Sequence, residues 1–211
     1  MLIILSKKTV ILIFFTVFLS IFSLNVCAYS DYNWELLKSN SKYILQTAPN
    51  NIITNYNLAL YYANTGQIYK AYDIIDSFDG SINREEFNSV VQSYLKPLDR
   101  YSDNQNILLL NYAAFKDVIN EDYDAAVNIF KVVIKTDPKN HWTRNHIAAA
   151  YIELEDYDNA FKYIDSALKI KDNDYSHLLK AVIYYEKGNL VKAFFEAAQA
   201  GSLVDSLLER N

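Results

Sequence analysis

The chain has 211 residues, enough for a single domain with a substantial core, and 51% of them are hydrophobic. Its 25 acidic residues outnumber 20 Lys and Arg, and the basic residues stand singly among acids, which excludes the clustered positive charge that a nucleic-acid partner requires. Cys27 is the only cysteine, so no disulfide framework is available.

At the N-terminus, Lys7 and Lys8 precede an uncharged run from Thr9 to Leu24 rich in Ile, Leu, Val and Phe. Val26 and Ala28 place small residues before a cut between Ala28 and Tyr29, so residues 1–28 are expected to be a signal peptide. Two alternatives stay open: an uncleaved membrane anchor through residues 9–24, and lipidation at Cys27, against which Val26 argues. Each places the protein outside the cytoplasm, secreted or associated with the cell envelope. Cleavage would remove Cys27 and two Lys, moving the net charge from −5 to −7 and leaving no thiol for catalysis or zinc.

Residues 29–211 form one domain in this reading. Trp34, Leu37, Ile44 and Leu45 share a helix that ends at Pro49, a half-repeat cap over residues 29–51 with Trp34 as its anchor. From there the chain repeats. Glu121-Asp122-Tyr123-Asp124-Ala125-Ala126 returns 34 residues later as Glu155-Asp156-Tyr157-Asp158-Asn159-Ala160. Ala71, Ala126, Ala160 and Ala193 lie 55, 34 and 33 residues apart, and Ala59, Ala114, Ala148 and Ala181 precede them in the same steps. Each unit reads as two helices crossing at these small residues: 52–78, 106–140, 141–173 and 174–201. Gly66 and Gly188 fall between paired helices, and Gly80 and Gly201 are expected after second helices. Residues 79–105 are an insertion, with helical spacing from Arg84 to Lys96 and a polar loop beyond. Ser202 opens a short C-terminal capping helix over 202–211 that carries Leu203, Val204, Leu207 and Leu208. The extra helix should interrupt the array, leaving the first unit and the Trp34 helix as a separate lobe and a regular stack from Asn106 onward.

The small residues, the Tyr62, Tyr151 and Tyr184 that follow them, and the turn pairs Glu121 with Tyr123 and Glu155 with Tyr157 resemble the tetratricopeptide repeat family. The resemblance covers residues 52 to 200 apart from the insertion, and departs from the pattern at Asp117, Asp172, Asn55 and Leu110. It implies an all-α solenoid of helical hairpins. It also implies a concave groove lined by first helices, in which a partner peptide or helix lies. By position that groove holds Tyr56 and Leu60, then Asn111, Phe115 and Val118, then Asn145 and Ile152, then Leu178 and Tyr185, with Trp142 and Tyr175 at its mouth. Asn111 and Asn145 would hydrogen-bond the ligand backbone. The alternative is that the insertion or the C-terminal helix covers these residues and makes them core.

No catalytic, cofactor or metal site is expected. His141 and His146 are five residues apart with no Glu in zinc-protease spacing, and the calcium-loop-like Asp172-Asn173-Asp174 lacks the following Gly and Glu. Asp122, Asp124, Asp156 and Asp158 read as acids at helix N-termini. The sequence thus points to an exported protein-protein interaction scaffold. A self-associating, membrane-anchored envelope component is the alternative, and an accessory hydrolase using the histidines is a third, of another class. The partner and the oligomeric state are not specified.

Overall fold

The computed structural model describes residues 32–81, 84–95, 106–201 and 203–204. Residues 1–31, and with them the signal-peptide, anchor and Cys27 readings, lie outside the described residues, as do Pro97 with most of the expected loop and residues 205–211. The described residues form ten helices and no strand: α1 (Trp34–Leu45), α2 (Ile52–Ala63), α3 (Ile68–Ser81), α4 (Arg84–Leu95), α5 (Ile107–Ile119), α6 (Tyr123–Thr136), α7 (His141–Glu153), α8 (Tyr157–Leu168), α9 (Asp174–Glu186) and α10 (Leu190–Ala200). The fold is an all-helical array of hairpins.

Most helix starts have a chemical cause. Asn33, Asn51, Asn106, Asn140 and Asn173 precede α1, α2, α5, α7 and α9, and each side chain accepts a hydrogen bond from the backbone N–H three residues on. Asp122 and Asp156 do the same for α6 and α8, while Asp124 and Asp158 sit in the first turn, where the helix dipole favours a negative charge. Within each hairpin the turn needs one left-handed residue. Gly66 and Gly188 supply it at φ +81° and +71°, and Glu121 and Glu155 occupy the same position in the middle repeats at φ 63° and 56°. Gly80, expected beyond the second helix of the first unit, lies inside α3 instead.

The hairpins α5–α6, α7–α8 and α9–α10 stack regularly. Ala114, Ala148, Ala126 and Ala160 are fully buried at the crossings, where the missing side-chain bulk lets the backbones approach. Phe130, Ile147, Ile164 and Ile183 fill the space between, each contributing about 1.5–3 kcal/mol of apolar burial.

The first hairpin departs from this scheme, and so does the insertion. Helix α4, not α3, packs against α5, through Phe87, Val91 and Leu95. The array is interrupted there, but the first unit is no separate lobe. Tyr56 and Leu60 of α2 share one core with α4, α5, α6 and Ile147 of α7, and Trp34 of α1 packs against it. Ile68 of α3 belongs to a second core with Ala148, Ile164, Tyr175 and Ile183. Apolar area exposed by a free lobe is thereby removed from water. The cap helix α1 is tied to α2 by polar contacts: Tyr61 Oη donates to Glu35 at 2.6 Å, and Lys38 Nζ donates to Tyr61 at 3.0 Å.

Candidate functional site: the first-helix faces

Six of the eleven groove residues are core. Tyr56, Leu60, Asn111, Asn145, Tyr175 and Leu178 are all buried. Phe115, Val118, Trp142 and Ile152 are half-buried, and Tyr185 alone stands open at 65% exposure. The expectation of an open groove lined by all eleven is therefore corrected, and the occupant comes from the chain itself.

Two elements do the covering. Phe87 of α4 meets the Tyr56 ring edge-on at 5.1 Å. The hydroxyl of Tyr56 donates to the Tyr112 carbonyl at 2.8 Å, and burial raises its pKa well above the ordinary tyrosine value. The second element is the end of the α2–α3 hairpin, which reaches across successive first helices. Asn64 donates to Asn111 at 3.1 Å. The backbone of Ala63 is a hydrogen-bond partner for His146, and the Trp142 ring lies against Gly66. Further along, Ile68 packs with Tyr175, near Tyr69 and Tyr72. The insertion was a foreseeable cover; the first hairpin was not.

The two asparagines do not face a ligand. Asn111 also donates to the Ile107 carbonyl at 2.8 Å. Asn145 donates to Asn173 at 3.0 Å and accepts from the Ser176 hydroxyl at 2.8 Å. A buried amide must find partners for both its donor and its acceptor, and Asn145 finds them in the cap of the next repeat. Its work is to lock α7 onto the start of α9.

His146 sits among Phe115, Phe130 and Tyr175, with ring centroids at 4.9, 5.7 and 6.3 Å. Burial, with a further push from nearby His141, brings its pKa down to about 3 despite the Ala63 backbone, and its Nε2 has no partner. It is neutral at physiological pH. His177 is the opposite case: burial works against its charge, but hydrogen bonds at 2.7 Å to Glu196 and 2.8 Å to Asp172 outweigh this and raise its pKa. It borders a small cavity of about 190 Å³ lined also by Asp172, Asn173, Asp174 and Gln199. The three histidines lie apart in role, and among the described residues no group of three or more His, Cys, Asp or Glu is placed to hold a metal ion. No described helix is long and apolar enough to cross a membrane.

Val118, Ile152 and Tyr185 occupy the same position, near the C-terminal ends of α5, α7 and α9; the first two are half-buried and only Tyr185 is exposed, while Tyr72 of α3 is 49% exposed. A second apolar surface, absent from the sequence expectation, lies on α10, where Leu190, Val191, Phe194 and Phe195 are each more than 60% exposed.

A family model described as tetratricopeptide repeat matches residues 118–183, from the end of α5 to α9. Comparison with curated proteins finds no match. Among solved structures the chain is similar to MamA MSR-1 C2, at 16% identity, covering 82% of this chain and 88% of that one with a TM-score of 0.45. It is similar also to the MamA RS-1 ArsTM double mutant, at 13% identity, covering 85% and 98% with a TM-score of 0.49. The 34-residue period and the paired antiparallel helices agree with the family match, so that over residues 118–183 the chain is similar to the tetratricopeptide repeat.

Proposed function

We propose that this interaction scaffold works outside the cytoplasm and binds a partner protein segment along the row Val118, Ile152 and Tyr185, the part of the first-helix faces that its own first hairpin leaves open. The observation that carries the reading is the exposure of Tyr185. A large aromatic at 65% exposure, in register with two half-buried aliphatics, offers an amphipathic anchor of the kind that dominates protein interfaces. The inner positions are filled by α4 and the α2–α3 hairpin, so the partner segment is short or lies along the edge.

Export rests on the Lys7-Lys8 pair followed by Thr9 to Leu24. N-terminal sequencing of protein recovered from the extracytoplasmic fraction checks it. A chain starting at Tyr29 supports export with cleavage; one starting at Met1 supports the anchored alternative. Binding is tested by recovering envelope proteins with the immobilised chain and with its Tyr185→Lys and Ile152→Lys variants. Loss of the same partner in both variants, with their melting unchanged, supports the row. Undiminished recovery places binding elsewhere.

A further inference from the structure

The α10 surface has features that the end of a repeat array does not by itself explain. Leu190 and Phe194 occupy the positions of Tyr123 and Val127 in α6 and of Tyr157 and Phe161 in α8. There the next hairpin covers them: Val127 is buried, and Phe161 meets Tyr184 of α9 at 5.3 Å. On α10 both are open. Val191 and Phe195 are different, because the same positions hold Asp124 and Asn128 in α6 and Asp158 and Lys162 in α8, all exposed. Two sites that are polar and solvated in the two preceding repeats are apolar here, at 68% and 63% exposure. The four side chains, continued by exposed Ala198, make one stripe along a single helix.

We propose that this stripe pairs with the same stripe of a second copy of the chain, antiparallel, about a two-fold axis near Phe194. Residues 190, 194 and 198 and residues 191 and 195 form two ridges of four-residue spacing, and ridges of that spacing interlock with each other in the commonest class of helix packing. The stripe is therefore complementary to itself, as a two-fold interface requires. Area agrees with this geometry. Four side chains of this size at these exposures present on the order of 500 Å². Full burial of the two faces removes up to about 1,000 Å², the low end for a specific interface.

The experiment uses the full chain in a Cys27→Ser background, oxidised mildly in cell membranes and extracts without detergent. Phe194→Cys sits beside its own symmetry mate and is expected to cross-link most of the chain as a dimer. Tyr43→Cys, exposed on α1, serves as the reference and is expected to give at least tenfold less. Adding Val191→Glu with Phe195→Glu to the Phe194→Cys chain should reduce its cross-linking at least tenfold with unchanged helicity and melting temperature. Cross-linking at position 194 no greater than at position 43 overturns the proposal. So does a yield that the two Glu leave unaltered, which would mean that Thr9 to Leu24 holds the copies together. A fall in melting temperature of more than about 5 °C in a chain carrying only the two Glu overturns it as well, since the face would then be covered by the chain's own residues 205–211.

Discussion

The ring of Trp142 occupies the space that a Cβ on Gly66 would need: a methyl group placed there would approach Trp142 Cη2 to 2.3 Å. A turn of the first hairpin is thus fitted against a helix that begins 75 residues later in the chain. Gly66→Ala combines left-handed strain with this overlap and is expected to cost about 2–4 kcal/mol. Gly188 has a similar φ, +71°, but nothing within 4 Å of a Cβ, so Gly188→Ala should cost only about 1–2 kcal/mol. Urea unfolding of the two variants measures the difference, which belongs to the Trp142 contact; equal losses would show that the hairpin does not dock there.

His146 makes stability depend on pH with a defined sign. Its folded pKa of about 3 lies below the ordinary 6.5, so the unfolded chain takes up the proton first. The stabilisation is complete above pH 6.5 and is lost progressively as pH falls toward 3, by roughly 4 kcal/mol. His177, raised and partly exposed, works in the other direction: its smaller contribution is complete below 6.5 and is lost as pH rises through its folded pKa. His146→Phe should flatten the acid limb of a stability profile measured between pH 7 and 4. An unchanged slope would assign the acid loss to carboxylates instead.

The left-handed turn position offers a stabilising change. Glu155 adopts φ 56° where the first and last repeats have Gly. Glu155→Gly removes a strain of about 1–2 kcal/mol against a smaller gain in unfolded-chain entropy, for a net increase of up to about 1 kcal/mol. Thermal unfolding should show a melting point higher by a few degrees. A lower melting point would mean that the Glu side chain contributes more than its backbone costs.

Asn145 is expected to be more sensitive than any accessible groove position. Asn145→Leu leaves the Asn173 acceptor and the Ser176 hydroxyl without their buried partner and should cost about 3 kcal/mol, whereas Tyr185→Ala should cost less than about 0.5 kcal/mol. Guanidinium unfolding of both variants tests this. Equal costs would contradict the reading of Asn145 as a clamp between repeats.

The repeat spacing, the crossing alanines and the Asp caps were legible from residues 34 apart, and α4 from the helical spacing of its own residues, because each depends on a local rule: helical period, cap chemistry, or the size of a side chain at a crossing. The accessibility of the first-helix faces was not. Tyr56, Leu60 and Asn145 have the same residue types and spacing whether a ligand or the chain itself lies on them, since an apolar face asks only for cover. The path of Gly66 and Ile68 toward α7 and α9 is a long-range event. No periodic signal encodes it. Val191 and Phe195 could have been noticed, by comparing them with Asp158 and Lys162 in the preceding unit.

The docking of the first hairpin on later helices has a consequence for how the chain unfolds. An open array has only neighbour contacts and frays from its ends, one repeat at a time. Here the turn at Gly66 bears on Trp142 and Ile68 on the core around Tyr175, so the first repeat cannot leave without exposing the third and fourth. The cross-contacts close a long loop of chain, slowing folding while making loss of structure cooperative. What began as a one-dimensional arrangement of hairpins behaves thermodynamically as a closed body.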